Sequence, residues 1–189
     1  MVPTPRFKVA FIGSHGVGKT TLCYGLAARL KRRDVGVEVV HEVARRCPLP
    51  INEETSVAAQ SWILHTQIAE ELVAMARYPV VLCDRSVLDN YVYLLLAAGD
   101  RPPLTTLVDD WIWTYDLLVH VPIVGGLQPD GIRAADPAFQ RLVDERVDRE
   151  LARRDLPALR LDHDAREGWL DIVEAAAWRV LQPAQLPLL

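Results

Sequence analysis

The sequence predicts an α/β protein, an open parallel sheet of five strands with helices on both faces. Three observations carry this. Short apolar, β-prone runs alternate with longer stretches of helical periodicity along the chain. The run Val80-Val81-Leu82-Cys83 is apolar at every position, as a strand covered on both faces must be. The first strand runs directly into a glycine-rich loop and then a helix, the order that places backbone N–H groups at a helix N-terminus.

The elements follow in order. Phe7-Lys8-Val9-Ala10-Phe11-Ile12 reads as the first strand. The helix over 20–33 has Leu22, Leu26 and Leu30 at i, i+4 and i+8. Residues 35–41 form a second strand, and Pro48 and Pro50 punctuate a loop over 46–56. A long helix spans 57–77, with Leu64, Ile68, Leu72 and Met75 expected on its apolar side, and Pro79 stops it. The third strand is 80–83. Helices at about 87–98 and 104–114 flank the breaker Gly99-Asp100-Arg101-Pro102-Pro103. A fourth strand at 116–121, a loop at 123–135, a helix at 137–154, a fifth strand at 158–162 and a helix at 167–182 complete the chain.

Composition sets bounds on function. A chain of 189 residues suits one domain with a substantial core, so 1–189 is read as a single unit. No apolar run approaches the ~18–20 residues of a membrane span. The opening residues lack the apolar core of a secretory signal. Cys23, Cys47 and Cys83 have no metal-ligand spacing, and Cys23 and Cys83 sit in apolar contexts. The expectation is a soluble cytoplasmic enzyme with reduced thiols. A net charge of −4 without a basic stripe argues against a long nucleic-acid partner. Nothing in the sequence sets the oligomeric state, although a homodimer is compatible with it.

The chemistry concentrates at strand ends, where ligands bind in such sheets. Gly13-Ser14-His15-Gly16-Val17-Gly18-Lys19-Thr20 fits the phosphate-cradling pattern G-x-x-x-x-G-K-[ST] and continues into Thr21. The fold expected is therefore the three-layer P-loop NTPase fold. ATP is the expected ligand, with Lys19 reaching the β- and γ-phosphates and the Thr20 hydroxyl ligating Mg²⁺. The third strand ends in Asp84, a Walker B carboxylate for the Mg²⁺ shell. Arg85 follows it where hydrolytic motors commonly carry a water-polarising Glu. A guanidinium is a poor base but a good fork for phosphoryl oxygens. Glu42 ends the second strand, placed to accept a proton from a substrate hydroxyl or to hold a ribose, with Arg45 one helical turn on. The charge-rich stretch after the fourth strand reads as a lid at about 123–150. Arg133 and Arg141 are its candidates for closing over the triphosphate, and Asp130 for positioning it.

Gly13–Thr20, "EVAR" at 42–45, the helix bearing Gln60 and Gln67, "DRSVLD" at 84–89, "YDLL" at 115–118 and "DGIR" at 130–133 occur in order. Together they resemble the ribosylnicotinamide kinase-like branch of P-loop ATP-binding proteins, over about residues 7–180. The "DRS" is also similar to the motif of deoxynucleoside kinases, in which the Arg contacts phosphates and a Glu after the second strand acts as base. The resemblance implies transfer of the ATP γ-phosphate to a hydroxyl of a nucleoside-like small molecule. Glu42 would serve as base or ribose anchor, Arg85 and Arg133 would steady the phosphoryl group, and Asp84 would manage Mg²⁺. A GTPase switch is excluded, because neither Asn52 nor Asn90 precedes a lysine as its guanine reader requires. A polynucleotide 5′-hydroxyl kinase and a regulatory P-loop ATPase or nucleotide-binding module stand as alternatives.

Overall fold

The computed structural model describes residues 6–51, 55–125 and 136–181. Its strands are β1 (Phe7–Ile12), β2 (Val37–Val40), β3 (Val80–Cys83), β4 (Leu117–His120) and β5 (Leu159–Arg160). The helices are α1 (Lys19–Lys31), α2 (Val57–Arg77), α3 (Val87–Ala98), α4 (Pro102–Trp111), α5 (Pro137–Arg153) and α6 (Trp169–Leu181). Short 3₁₀ turns lie at Val43–Arg46, Ile112–Thr114 and His163–Gly168. Among the described residues, no helix is long and apolar enough to cross a membrane.

The five strands form one parallel sheet in the order β2-β3-β1-β4-β5. All six residues of β1 are buried, and their side chains alternate between two cores. Ala10 and Ile12 join the core under α2, α3, α4 and α5, whereas Phe7, Val9 and Phe11 join the core under α1 and α6. Central β1 pairs with β3 on one side and β4 on the other. The chain therefore reverses its strand order at the C-terminal end of β1, where a crevice opens for a ligand.

The expected elements are present with local differences. Strand β5 is only two residues long, because the chain turns away after Arg160 into the 3₁₀ turn. Helix α1 starts at Lys19, inside the glycine loop. Helix α2 departs most from expectation: Leu72 is 56% exposed, and Gln60, Gln67 and Glu71 face inward beside Ile63 and Leu64. Gln60 donates to Thr55 just ahead of the helix, Gln67 donates to Glu71 and to the Arg85 carbonyl, and Glu71 accepts from Tyr115, so each inward side chain has a hydrogen-bond partner. The helix expected over 137–154 is α5, anchored in the core by Val143, Val147 and Leu151, and residues 126–135 of the expected lid lie outside the described residues.

Two outcomes test this packing. Leu64→Ala removes a buried side chain and should cost about 2–5 kcal/mol. Leu72→Ala on the same helix should stay within about 0.5 kcal/mol. Urea denaturation of both separates the observed face of α2 from the expected one. The thiols of Cys23 and Cys83 are held well above their ordinary range, chiefly by burial and then by nearby carboxylates, Asp84 for Cys23 and Glu71 for Cys83. A thiol reagent at pH 8 should label only half-buried Cys47 in the folded chain and all three cysteines after denaturation.

Candidate active site

The loop after β1 is built on glycine. Gly13 has φ of 133°, and a Cβ there would lie 2.6 Å from the Val121 carbonyl oxygen. Gly16 and Gly18 also take positive φ, at 73° and 100°. These conformations turn the chain so tightly that α1 begins at Lys19 with Gly18 as its cap residue.

Lys19 is buried and folds back over the loop. Its Nζ donates to the Gly13 carbonyl at 2.8 Å and to the Ser14 carbonyl. Burial, and next the Arg85 guanidinium, pull the amine down to about 7, against the opposing influence of Asp89, Glu42 and Asp84. Thr20 Oγ1 donates to Asp84 Oδ2 at 2.7 Å, joining the start of α1 to the end of β3. Burial raises the Asp84 carboxyl above its ordinary value despite that bond and the Lys19 charge. Asp84 is not the cap of α3. Ser86 is, receiving Leu88 N and Asp89 N on its hydroxyl, while Asp89 returns the capping box.

Arg85 is buried, and its Nε donates to Glu42 Oε1 at 2.7 Å. Glu42 Oε2 accepts from Arg45 Nε at 2.8 Å. The guanidinium of Arg85 also lies over the Tyr93 ring, 5.3 Å from its centroid. Burial is the largest influence on Arg85 and opposes its charge, but Glu42, Tyr93 and Asp89 outweigh it and hold the group above its ordinary value.

These residues surround one cavity of about 280 Å³, lined by Gly16, Val17, Gly18, Lys19, Thr20, Thr21, Glu42, Arg45, Asp84 and Arg85. Every lining residue was expected from the sequence. Gly13, Ser14 and His15 are buried and do not line the cavity. Arg141 is exposed on the second turn of α5 and does not line the cavity. Arg133 and Asp130 lie outside the described residues.

The sequence reading missed the supports. Asp89 Oδ1 accepts from Gly13 N at 3.0 Å, while its Oδ2 accepts from Ser86 N and Oγ. One carboxylate thus ties the glycine loop to the turn after β3. Its signal was present, since Ser86 and Asp89 have capping-box spacing. Gln140 Nε2 donates to the His15 carbonyl at 2.8 Å, binding α5 to the loop. His15 Nδ1 lies 3.2 Å from the Tyr93 hydroxyl. Neither contact has a local signal in the sequence.

A glycine loop at the switch point of a parallel sheet, facing a strand-end Asp-Arg pair, defines a P-loop protein of three-layer α/β architecture. The family model described as AAA domain matches residues 8–167, and the chain belongs to that family. Among solved structures, the chain is similar to a crystal structure of NadR protein in complex with NR. The TM-score is 0.70 at 20% identity, over 97% of this chain and 54% of that one. The chain thus spans about half the length of that protein. It is also similar to thymidylate kinase from Ehrlichia chaffeensis, with a TM-score of 0.64 at 18% identity, over 94% of this chain and 100% of that one. At these identities the likeness is one of fold. No curated protein matches the chain in sequence.

The loop geometry gives a direct test. Gly13→Ala drives a Cβ into the Val121 carbonyl and should cost about 2 kcal/mol or more. Gly18→Ala meets no atom within 4 Å and should cost only its conformational strain, about 1 kcal/mol. Denaturant midpoints of both variants make the comparison.

Proposed function

We propose that the chain is an ATP-dependent phosphotransferase that moves the γ-phosphate to a hydroxyl of a nucleoside-like small molecule. One observation carries this reading. The residue after Asp84 is Arg85, locked to Glu42 on the wall of the cavity that the glycine loop also lines. Many P-loop ATPases that hydrolyse for motor work carry a Glu there that polarises water. A guanidinium instead offers N–H donors to phosphoryl oxygens and brings no base.

In this reading the loop amides and Lys19 hold the β- and γ-phosphates. Arg85 steadies the transferring group. Glu42 takes the acceptor's hydroxyl proton or anchors its ribose, with Arg45 orienting the carboxylate from the other side. Arg133 and Arg141 are proposed to close over the triphosphate from the chain ahead of and within α5. The pairing of the Thr20 hydroxyl with the Asp84 carboxylate suits a hard divalent cation, which prefers oxygen ligands. Mg²⁺ bound by these two residues would neutralise charge on the β- and γ-phosphates. Among the described residues there is no cluster of three or more His, Cys, Asp or Glu to enclose an ion.

The test is coupled ADP release over a panel of ribonucleosides, deoxynucleosides, nicotinamide riboside, nucleoside monophosphates and a 5′-hydroxyl oligonucleotide. A nucleoside-like acceptor should stimulate release. Stimulation by the oligonucleotide alone would favour a chain-end kinase, and release without any acceptor would favour an ATPase. Glu42→Gln should lower acceptor-dependent turnover by about 10²-fold. Asp84→Asn should raise the Mg²⁺ concentration needed for half-maximal activity, because the amide is a poorer ligand. An unchanged Mg²⁺ titration would remove Asp84 from the metal site.

A further inference from the structure

A second polar cluster lies outside the cavity, packed under the turn that carries Asp84 and Arg85. Glu71 on α2 is fully buried. Its Oε1 accepts from Gln67 Nε2 at 2.8 Å and from the Tyr115 hydroxyl at 2.6 Å. Its Oε2 accepts from Lys8 Nζ at 2.7 Å and from Trp111 Nε1 at 2.8 Å. An ionised carboxylate offers about four acceptor sites, so this one is saturated. Lys8 supplies the balancing charge. Its Nζ also donates to Thr114 Oγ1 at 2.6 Å and lies over the Trp111 and Tyr115 rings, 4.6 and 4.3 Å from their centroids.

The anion dictates the polarity of everything attached to it. Because Glu71 only accepts, Gln67 must turn its amide nitrogen inward and Tyr115 must donate its hydroxyl proton. The Gln67 amide nitrogen then also reaches the Arg85 carbonyl oxygen, at 3.2 Å. The Tyr115 oxygen accepts from Val87 N at 3.1 Å. These two backbone groups flank Ser86, so the turn after β3 is gripped on both sides from below.

We infer that Glu71 is a positioning residue for Arg85, acting through Gln67 and Tyr115. The part Arg85 plays toward the γ-phosphate rests on the phosphotransfer reading above. A buried ion pair is a poor choice for stability alone, since apolar residues of similar volume often serve as well or better. Hydrocarbon, however, cannot orient an amide and a hydroxyl. The charge sets the direction of the two hydrogen bonds that fix the backbone of Arg85 and so aim its guanidinium at Glu42 and the cavity.

The test uses Gln67→Met and Tyr115→Phe, each of which cuts one link and leaves the Lys8–Glu71 pair in place. Circular dichroism and thermal melts establish that they fold. Calorimetry then gives ATP and ADP affinities for wild type, both variants, Arg85→Ala and the combined Gln67→Met/Arg85→Ala. Each link variant should lose about tenfold in ATP affinity relative to ADP. Acceptor-dependent kcat should fall with little change in acceptor KM. Gln67→Met should add no further loss once Arg85 is alanine. An unchanged ATP-to-ADP ratio in a folded link variant, or additive losses in the combined variant, overturns the inference. So does loss of the fold in both link variants, which would make the cluster structural only. If one variant fails to fold, the other decides. Expected coupling in ATP affinity with no acceptor stimulation of wild type would support the positioning role and overturn the phosphotransfer reading. Acceptor-dependent turnover in wild type with an unchanged ATP-to-ADP ratio in the folded link variants does the reverse.

Discussion

The hydrogen bond from Gly13 N to Asp89 is the junction on which the architecture turns. It is made where β1 gives way to the glycine loop, and its acceptor stands in the first turn of α3. The same carboxylate closes the capping box with Ser86, two residues after Asp84. The loop after β1 and the turn after β3 are therefore held at a fixed separation by one buried side chain. On the opposite side, Gly13 lies so close to the Val121 carbonyl that only a hydrogen fits in place of a side chain. The ends of β1, β3 and β4 meet at this point, and the cavity opens directly above it.

The cations that line the cavity are engaged with oxygen acceptors of the protein. Lys19 leans on two carbonyls of its own loop, and Arg85 and Arg45 share the two oxygens of Glu42. Such pairing keeps buried charges tolerable, because an unpaired ion in this environment would cost several kcal/mol. It also fixes the directions in which the N–H groups point. The electrostatics of the site is thus a property of paired groups, set by geometry more than by the count of charges.

What could be read from the sequence was what is local. A strand, three glycines and a lysine in eight residues, and a helix can make only one kind of loop, because each glycine answers a backbone demand no other residue meets. Asp84, Arg85 and Glu42 were legible because a parallel sheet puts the residues after its strands on one edge. The inward face of α2 was not legible. Hydropathy places Leu72 inside and Glu71 outside, yet Glu71 meets Lys8 from β1 and Tyr115 from the approach to β4. Those partners are 63 and 44 residues away in the chain, and no periodicity within α2 reports them. The link from Gln140 to the His15 carbonyl was hidden for the same reason.

The strand order has a consequence for how the chain reaches this structure. β1 is made first and is buried on both faces, but its neighbours come much later: Val9 pairs with Leu82 on one side and Leu117 on the other. During synthesis β1 must therefore wait with both edges unpaired until β3 emerges, and with one edge unpaired until β4 does. Contacts of such sequence separation close slowly, and waiting strands are prone to mispairing. Lys8 interrupts the apolar run of β1 with a charge that is neutralised only when Glu71 and the residues around Tyr115 have arrived. The same lysine that is bound in the finished core would keep the nascent strand solvated while it waits.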